Sequence, residues 1–181
     1  MKRFLAAAIA ALMITSTAMA KDAPFQASLT PDIAIQDSTT FIRGLSLSIW
    51  GENPQRSLAL GIVNGTSGDS GGFSLGWLLN YGDDYTGVTW AAVNFTEGNV
   101  LGWQGGFLNY SGGTMKGLQT GFVNYAERMQ GLQLGFLNFV ESVDEALVQV
   151  GLLNVIRAND SWFGDFPDEV APAMVFINWR F

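Results

Sequence analysis

Three pairs of adjacent carboxylates are the side chains of this chain best suited to chemistry. They are Asp83-Asp84, Asp144-Glu145 and Asp168-Glu169. Paired carboxylates can bind Ca²⁺ or share the acid–base work of glycoside hydrolysis. The spacing matches no calcium loop, and adjacent side chains of an extended segment point in opposite directions, so they do not form a dyad. We therefore expect these residues to be solvated turn charges.

The composition removes most other catalytic schemes. The chain has no histidine and no cysteine, which excludes Ser-His-Asp and Cys-His catalysis, ordinary zinc sites and a disulfide framework. The segment 65–72 is rich in glycine and serine, but it lacks the Gly-Lys-Ser/Thr ending of a phosphate-binding loop. We predict a protein that is not an enzyme and that binds no cofactor and no metal.

The charge balance also narrows the range of partners. Nine Lys and Arg stand against sixteen Asp and Glu, which gives a net charge of −7. Nucleic acids and anionic lipid headgroups are bound by basic patches, so we expect neither as a partner.

One non-repetitive segment, residues 157–172, is the longest expected connection and the best candidate for a recognition loop. Aromatic side chains in an acidic surface loop are typical of contact sites. The candidate residues are Trp162, Phe163, Phe166, Asp168 and Glu169. As alternatives, the loop folds back as a plug or dips into a membrane interface.

A short motif that recurs about every fifteen residues must position all of these side chains. Segments 102–109, 117–124 and 131–138 share the pattern Gly-x-Gln-x-Gly-Phe-x-Asn. A period this short has room for one strand and one turn, so we predict structural roles for its amides. The asparagines are Asn64, Asn80, Asn94, Asn109, Asn124, Asn138 and Asn154, and the glutamines are Gln104, Gln119, Gln133 and Gln149.

The glutamine row has two interpretations. The favoured one is a hydrogen-bonded ladder that fills the interior of the fold. The alternative is a lumen whose glutamines bind a polar ligand.

The strands that the pattern predicts contain almost no charge. They cover residues 41–50, 57–64, 72–81, 86–95, 101–110, 116–125, 131–140, 147–156 and 173–181, with a weaker strand within 25–35. In 131–139, alternation places one set outward, toward lipid, and the other set inward. The outward set is Leu132, Leu134, Phe136 and Asn138, and the inward set is Gly131, Gln133, Gly135, Leu137 and Phe139.

Two all-β architectures can use this period. The predicted one is an antiparallel up-and-down membrane β-barrel of eight to ten strands, because tilted strands of about ten residues span roughly the 25 Å apolar band of a membrane. In such a barrel, the aromatic residues that follow the asparagines alternate between the two rims. The alternative is a parallel β-solenoid, in which identical residues stack coil upon coil and the asparagines form an internal ladder.

The two ends of the chain predict export. Residues 1–20 are typical of a cleaved signal peptide, with basic Lys2 and Arg3, an apolar run and a small-residue cleavage site. Residues 21–181 are then one β domain, with the repeat region at about 58–155. The alternating, aromatic end at Trp179 and Phe181 resembles the closing strand of outer-membrane β-barrels. That resemblance implies outer-membrane lipid and the barrel-insertion machinery as partners.

The repeat itself resembles that of an uncharacterised family of exported bacterial proteins with Gly-Leu-Gln-x-Gly-x-x-Asn surface repeats. Two copies, 72–80 and 86–94, depart from the pattern, with Trp77 and Ala91 where glycine is expected. The resemblance implies a surface or envelope location and no activity. We therefore predict a non-enzymatic outer-membrane or cell-surface protein with a structural or surface-interaction role. The alternative is a secreted or periplasmic solenoid that binds a glycan or another partner.

Overall fold

A computed structural model describes residues 22–181, and the predicted signal peptide lies outside them. All regular elements in this range are strands, which form one eight-stranded sheet in the order β2-β1-β3-β4-β5-β6-β7-β8. No helix within residues 22–181 is long and apolar enough to cross a membrane. The strands are β1 Asp22–Thr30, β2 Ile33–Ala34, β3 Phe41–Asn53, β4 Arg56–Thr66, β5 Asp69–Gly82, β6 Asp84–Thr96, β7 Val100–Ile156 and β8 Ala173–Arg180.

Neighbouring strands run parallel from β1 through β3, β4, β5 and β6 to β7. The repeat copies therefore stack as successive coils, with Asn64 beside Asn80 and Asn94 beside Asn109 in the register. Several coils follow one another without interruption in β7, where side-chain hydrogen bonds join residues 14 to 16 positions apart. The fold is a parallel β-solenoid.

The membrane-barrel prediction is wrong, and the solenoid alternative is confirmed. An antiparallel meander would carry successive asparagines to opposite rims, whereas the parallel register brings them into one column. Strand length, alternation and the lack of charge suit both architectures. Identical amides recurring in phase distinguish them, because only a parallel stack sets each amide directly above its equivalent.

The asparagines form a continuous ladder inside the solenoid. From Asn64 to Asn138, each Nδ2 donates to the Oδ1 of the asparagine in the next coil, at 2.8–3.3 Å, and the ladder ends at Asn154. Additional bonds to backbone carbonyls include Asn109 to Thr120 and Asn124 to Leu134. All seven asparagines are buried. Because a buried amide without partners is costly, this ladder holds the coils in register.

The glutamines form a second ladder with the opposite polarity. Gln119 donates to Gln104, Gln133 to Gln119 and Gln149 to Gln133, at 2.7–2.9 Å, so each bond points back toward the preceding coil. All four side chains are fully buried. In the two coils before Gln104, the register places the smaller Thr89 and Ser74 in this column.

The predicted alternation in 131–139 fails at a corner of the coil. Gln133 and Asn138 are both buried, although residues five apart lie on opposite faces of a regular strand. The chain must therefore bend between them. Gly135 lies within this segment, and a Cβ there would overlap the carbonyl oxygen of Gly121 in the preceding coil, so the close approach of the two backbones requires glycine. Asn138 thus lies inside rather than outside, and Phe139 stacks on Tyr125 rather than filling the interior.

The first glycine of the motif forms another tight corner. Gly117 has a φ of +130°, and a Cβ on it would overlap the carbonyl oxygen of Gly102 in the preceding coil. Both the positive φ and the close approach of two backbones require glycine. Gly72, Gly87, Gly102 and Gly131 have the same conformation in their coils.

An apolar core and two end caps complete the fold. The core lies beside the amide ladders. At the ends, the two-residue β2 pairs antiparallel with β1 at Ser28 and Thr30, and β8 pairs antiparallel with the last coil of β7, so each outermost coil is covered at least in part. The core residues are Val100, Met115, Ala126, Met129, Val140, Leu147 and Ile156.

Asn124→Ala tests the ladder. The change removes the acceptor of Asn109 and the donor to Asn138 and Leu134. We expect the free energy of unfolding to fall by about 2–4 kcal/mol, because buried polar groups lose their partners. Chemical denaturation measures the loss.

Asn99→Ala is the matched control, because Asn99 also bonds between coils but is exposed. We expect it to cost less than about 1 kcal/mol. Equal losses for the two variants would contradict a stabilising role for burial of the ladder.

Candidate functional site

The outer surface of the solenoid is divided into an apolar half and a charged half. The uncharged segments stack in register, and we call their outward side the apolar face. Its large side chains are substantially exposed along the whole stack. They include Leu58, Ile62, Phe73, Leu75, Trp77, Leu78, Trp90, Leu101, Phe107, Phe122, Phe136, Leu152 and Leu153.

Charged side chains lie on the other half of each coil. In the central coils, Lys116 and Arg128 immediately follow or precede the core residues Met115 and Met129. The charged half therefore covers the apolar core, and the apolar face covers the amide ladders. This reverses the usual arrangement, in which exposed strand faces are polar.

Two aromatic ladders run along the apolar face. Phe107, Phe122 and Phe136 stack with ring centroids 5.0 and 4.7 Å apart. The second ladder has centroid distances of 4.8–5.5 Å, in the range of favourable offset stacking. The parallel coils place it on one side of the molecule, so the expected alternation between two rims is wrong. Its members are Phe95, Tyr110, Tyr125 and Phe139.

A groove of about 730 Å³ interrupts the apolar face. Two departures from the repeat create it. Between the pairs Leu75–Trp90 and Leu79–Val93, β5 has one residue more than β6, and Trp77 in this bulge is 82% exposed. In β6, Ala92 takes the column position that Phe107 occupies in the next coil. A small side chain thus lies between bulky ones.

The chemistry of the groove is almost entirely apolar. Its lining residues carry no ionisable group, and Thr120 supplies their one hydroxyl. That hydroxyl accepts a hydrogen bond from Trp103 at 2.8 Å, and Trp103 packs edge-on against Trp90. The lining residues are Leu60, Gly61, Leu75, Gly76, Trp77, Trp90, Ala91, Ala92, Gly106, Phe107, Thr120 and Gly121.

Sequence reasoning missed this groove, although a signal existed. Trp77, in the bulge, and Ala91, next to the small Ala92, were recognised as departures from the repeat. Their significance depends on knowing that the two coils are adjacent and in phase, which the parallel register establishes.

The candidate residues of the predicted recognition loop differ in their burial. Glu169 is 5% exposed; it pairs with Arg180 at 2.6 Å and accepts hydrogen bonds from two backbone N–H groups. It therefore anchors the loop to β8. Trp162, Phe163, Phe166 and Asp168 are exposed.

The structure brings only part of this loop to other aromatic side chains. The ring of Phe166 lies 6.1 Å from that of Trp179, which lies 6.5 Å from that of Phe181. Trp179 also donates a hydrogen bond to the carbonyl of Pro167 at 2.8 Å. The loop is thus attached to the C-terminal cap, and its role in recognition stays a prediction.

The carboxylate pairs make contacts between coils. Asp83 accepts a hydrogen bond from the N–H of Gly68 at 2.7 Å, and Asp84 accepts one from the N–H of Asn99 at 2.6 Å. Each aspartate thus serves a different neighbouring coil. Glu145 accepts from Gln130. Within residues 22–181, no group of three or more acidic side chains is arranged to hold a metal ion.

Tyr81 links two coils through a polar contact near the apolar face. Its hydroxyl donates to Glu52 at 2.6 Å and accepts from Trp50 at 3.0 Å. Burial, together with the hydrogen bond to Glu52, raises the pKa of Tyr81 to about 12. Burial also raises the pKa of Tyr85.

Comparison with known proteins assigns neither a family nor a function to the chain. No protein-family model matches the chain, and searches of curated proteins and of solved structures find no significant match. The family resemblance of the repeat therefore remains a resemblance. Functional inference depends on the apolar face and its groove.

Tyr81 predicts a dependence of stability on alkaline pH. Between pH 10 and about 12, the unfolded chain loses the tyrosine proton and the folded chain keeps it, so stability falls as pH rises. We expect Tyr81→Phe to reduce the fall in the free energy of unfolding across this pH range. Tyr85, whose pKa is also raised, should account for part of the fall that persists in the variant. Denaturant unfolding at several pH values between 10 and about 12 measures the free energy of unfolding.

Below pH 10, Tyr81 is protonated in both states, and the two proteins should then depend on pH in the same way. An unchanged slope above pH 10 in the variant would show that Tyr81 makes no contribution.

Proposed function

We propose that this chain is an exported, non-enzymatic binding module that lies on a lipid surface of the cell envelope through its apolar face. The observation that carries the proposal is the segregation of the outer surface. Uncharged segments stack along the whole solenoid, and their aliphatic and aromatic side chains are exposed together.

The extent of the face argues for a permanent partner. Soluble monomers rarely expose contiguous apolar patches larger than a few hundred Å². Here the exposed side chains continue from Leu58 in β4 to Leu153 at the end of β7. Burial of such a face against an apolar phase would be strongly favourable.

The uniformity of the face favours lipid over a protein. Specific protein interfaces combine apolar anchors with polar and charged groups that fix orientation. The uncharged segments of the apolar face contain no ionisable side chain other than tyrosine, and their large exposed side chains are aliphatic or aromatic. Lipid chains require no directional partner. The tyrosines Tyr110 and Tyr125 suit the membrane–water interface, where amphipathic rings concentrate.

The charge of the protein indicates the kind of lipid. A net charge of −7 opposes attraction to anionic headgroups. The contact must then depend on apolar burial into uncharged or zwitterionic lipid, as for interfacial amphipathic elements. Outer-membrane lipid thus remains the proposed partner. The barrel-insertion machinery is expected for a barrel, and we do not propose it as a partner of a solenoid.

Two observations support a non-enzymatic role. The sequence lacks histidine and cysteine. The carboxylates of Asp83, Asp84 and Glu169 are engaged in contacts that hold coils and loop together. The predicted signal peptide supports export, and the periplasm or the cell surface are the proposed locations.

Phe122→Ala and Phe136→Ala test the lipid contact. Each change removes an exposed ring from the apolar face, and we expect each to weaken binding to phosphatidylcholine vesicles about tenfold. Co-sedimentation measures binding, and circular dichroism verifies the fold. High salt should leave binding of the unmodified protein unchanged.

Lys116→Ala and Glu127→Ala, on the charged half, are matched controls and should retain full binding. An unmodified protein that stays monomeric and never sediments with vesicles would refute the proposal.

A further inference from the structure

The groove at Trp77 and Ala92 has the dimensions of a ligand site. Its volume of about 730 Å³ lies within the roughly 300–1,000 Å³ typical of ligand pockets. It is also a local feature. The three coils that follow carry Phe107, Phe122 and Phe136 at the position of Ala92, and these rings stack without a gap.

The shape of the groove is elongated along the stack. Its lining begins at Leu60 in β4, crosses β5 and β6, and reaches Thr120 in the second coil of β7. Five coils at about 4.8 Å each correspond to roughly 19 Å from the first to the last. This is the length scale of an extended fatty acyl chain.

The lining chemistry selects among ligand classes. A glycan would need several hydrogen-bonding side chains, and an anion would need a cation, but the groove offers neither. Trp77, Trp90 and Phe107 instead provide broad apolar walls, and Thr120 provides a hydroxyl at one end. A single aliphatic chain with a small polar head satisfies this lining.

We propose that the groove binds one aliphatic chain of a lipid, between Trp77 and Phe107 and over Ala92. The inference rests on the proposed function for the source of its ligand, since the groove opens on the face that contacts lipid. It adds a discrete, saturable site to a surface contact that is otherwise continuous.

Titration with 1-dodecanol, followed by tryptophan fluorescence and calorimetry, tests the site in the exported chain without its signal peptide. Dodecanol supplies the chain and a neutral hydroxyl without forming a bilayer. We expect saturable binding of one molecule per protein. Linear partitioning without saturation, or binding of a maltooligosaccharide in place of dodecanol, would overturn the proposal.

Ala92→Phe is the decisive variant. The new ring restores the repeat and stacks on Phe107, so the fold should be as stable as before. We expect dodecanol binding to weaken at least about tenfold, because the groove is filled. Trp77→Ala removes one wall without adding bulk and should also weaken binding. Undiminished binding by both variants would overturn the proposal.

Vesicle binding separates this inference from the proposed function. Ala92→Phe should retain binding to phosphatidylcholine vesicles and lose dodecanol. Phe122→Ala should do the opposite, because Phe122 does not line the groove. Loss of both activities in Ala92→Phe would show that no separate site exists.

Discussion

Hydrogen bonds between identical amides in successive coils are the interaction on which the rest of the structure depends. The asparagine and glutamine ladders occupy the interior, and their amide–amide bonds require each amide to lie beside its equivalent one coil away. Parallel, in-register stacking follows from that requirement. With amides inside, many of the apolar side chains of the strands must face outward. The polar interior and the apolar face are thus two results of one constraint.

The side-chain dipoles of the two ladders point in opposite directions. The asparagine bonds point toward the C-terminal coils, and the glutamine bonds point toward the N-terminal ones. Aligned side-chain dipoles would accumulate along a single ladder, whereas opposed ladders partly cancel. The interior can therefore be long and polar without a large net dipole along the axis.

The sequence predicted β-strands, their approximate positions and the importance of Asn and Gln, because these follow from the repeat alone. It could not distinguish barrel from solenoid, since uncharged alternating strands of this length suit both. The corner at Gly135 escaped prediction because strict alternation places Gln133 and Asn138 on opposite faces. Glu169 was grouped with exposed loop residues because its partner Arg180 belongs to the next strand. The groove requires two coils to be placed side by side, so Trp77 and Ala91 looked like simple irregularities.

The antiparallel strands β2 and β8 have a consequence for the assembly of copies of this chain. Identical strands stacked parallel and in register, with amide ladders and aromatic stacks, are also the architecture of amyloid fibrils. An uncapped coil would present a template that another copy of the chain extends. At both ends, β2 and β8 run opposite to the coils, so a further parallel coil would not find the strand direction of the stack there. The chain thereby combines the bonding pattern of a fibril with strand reversals that oppose its extension.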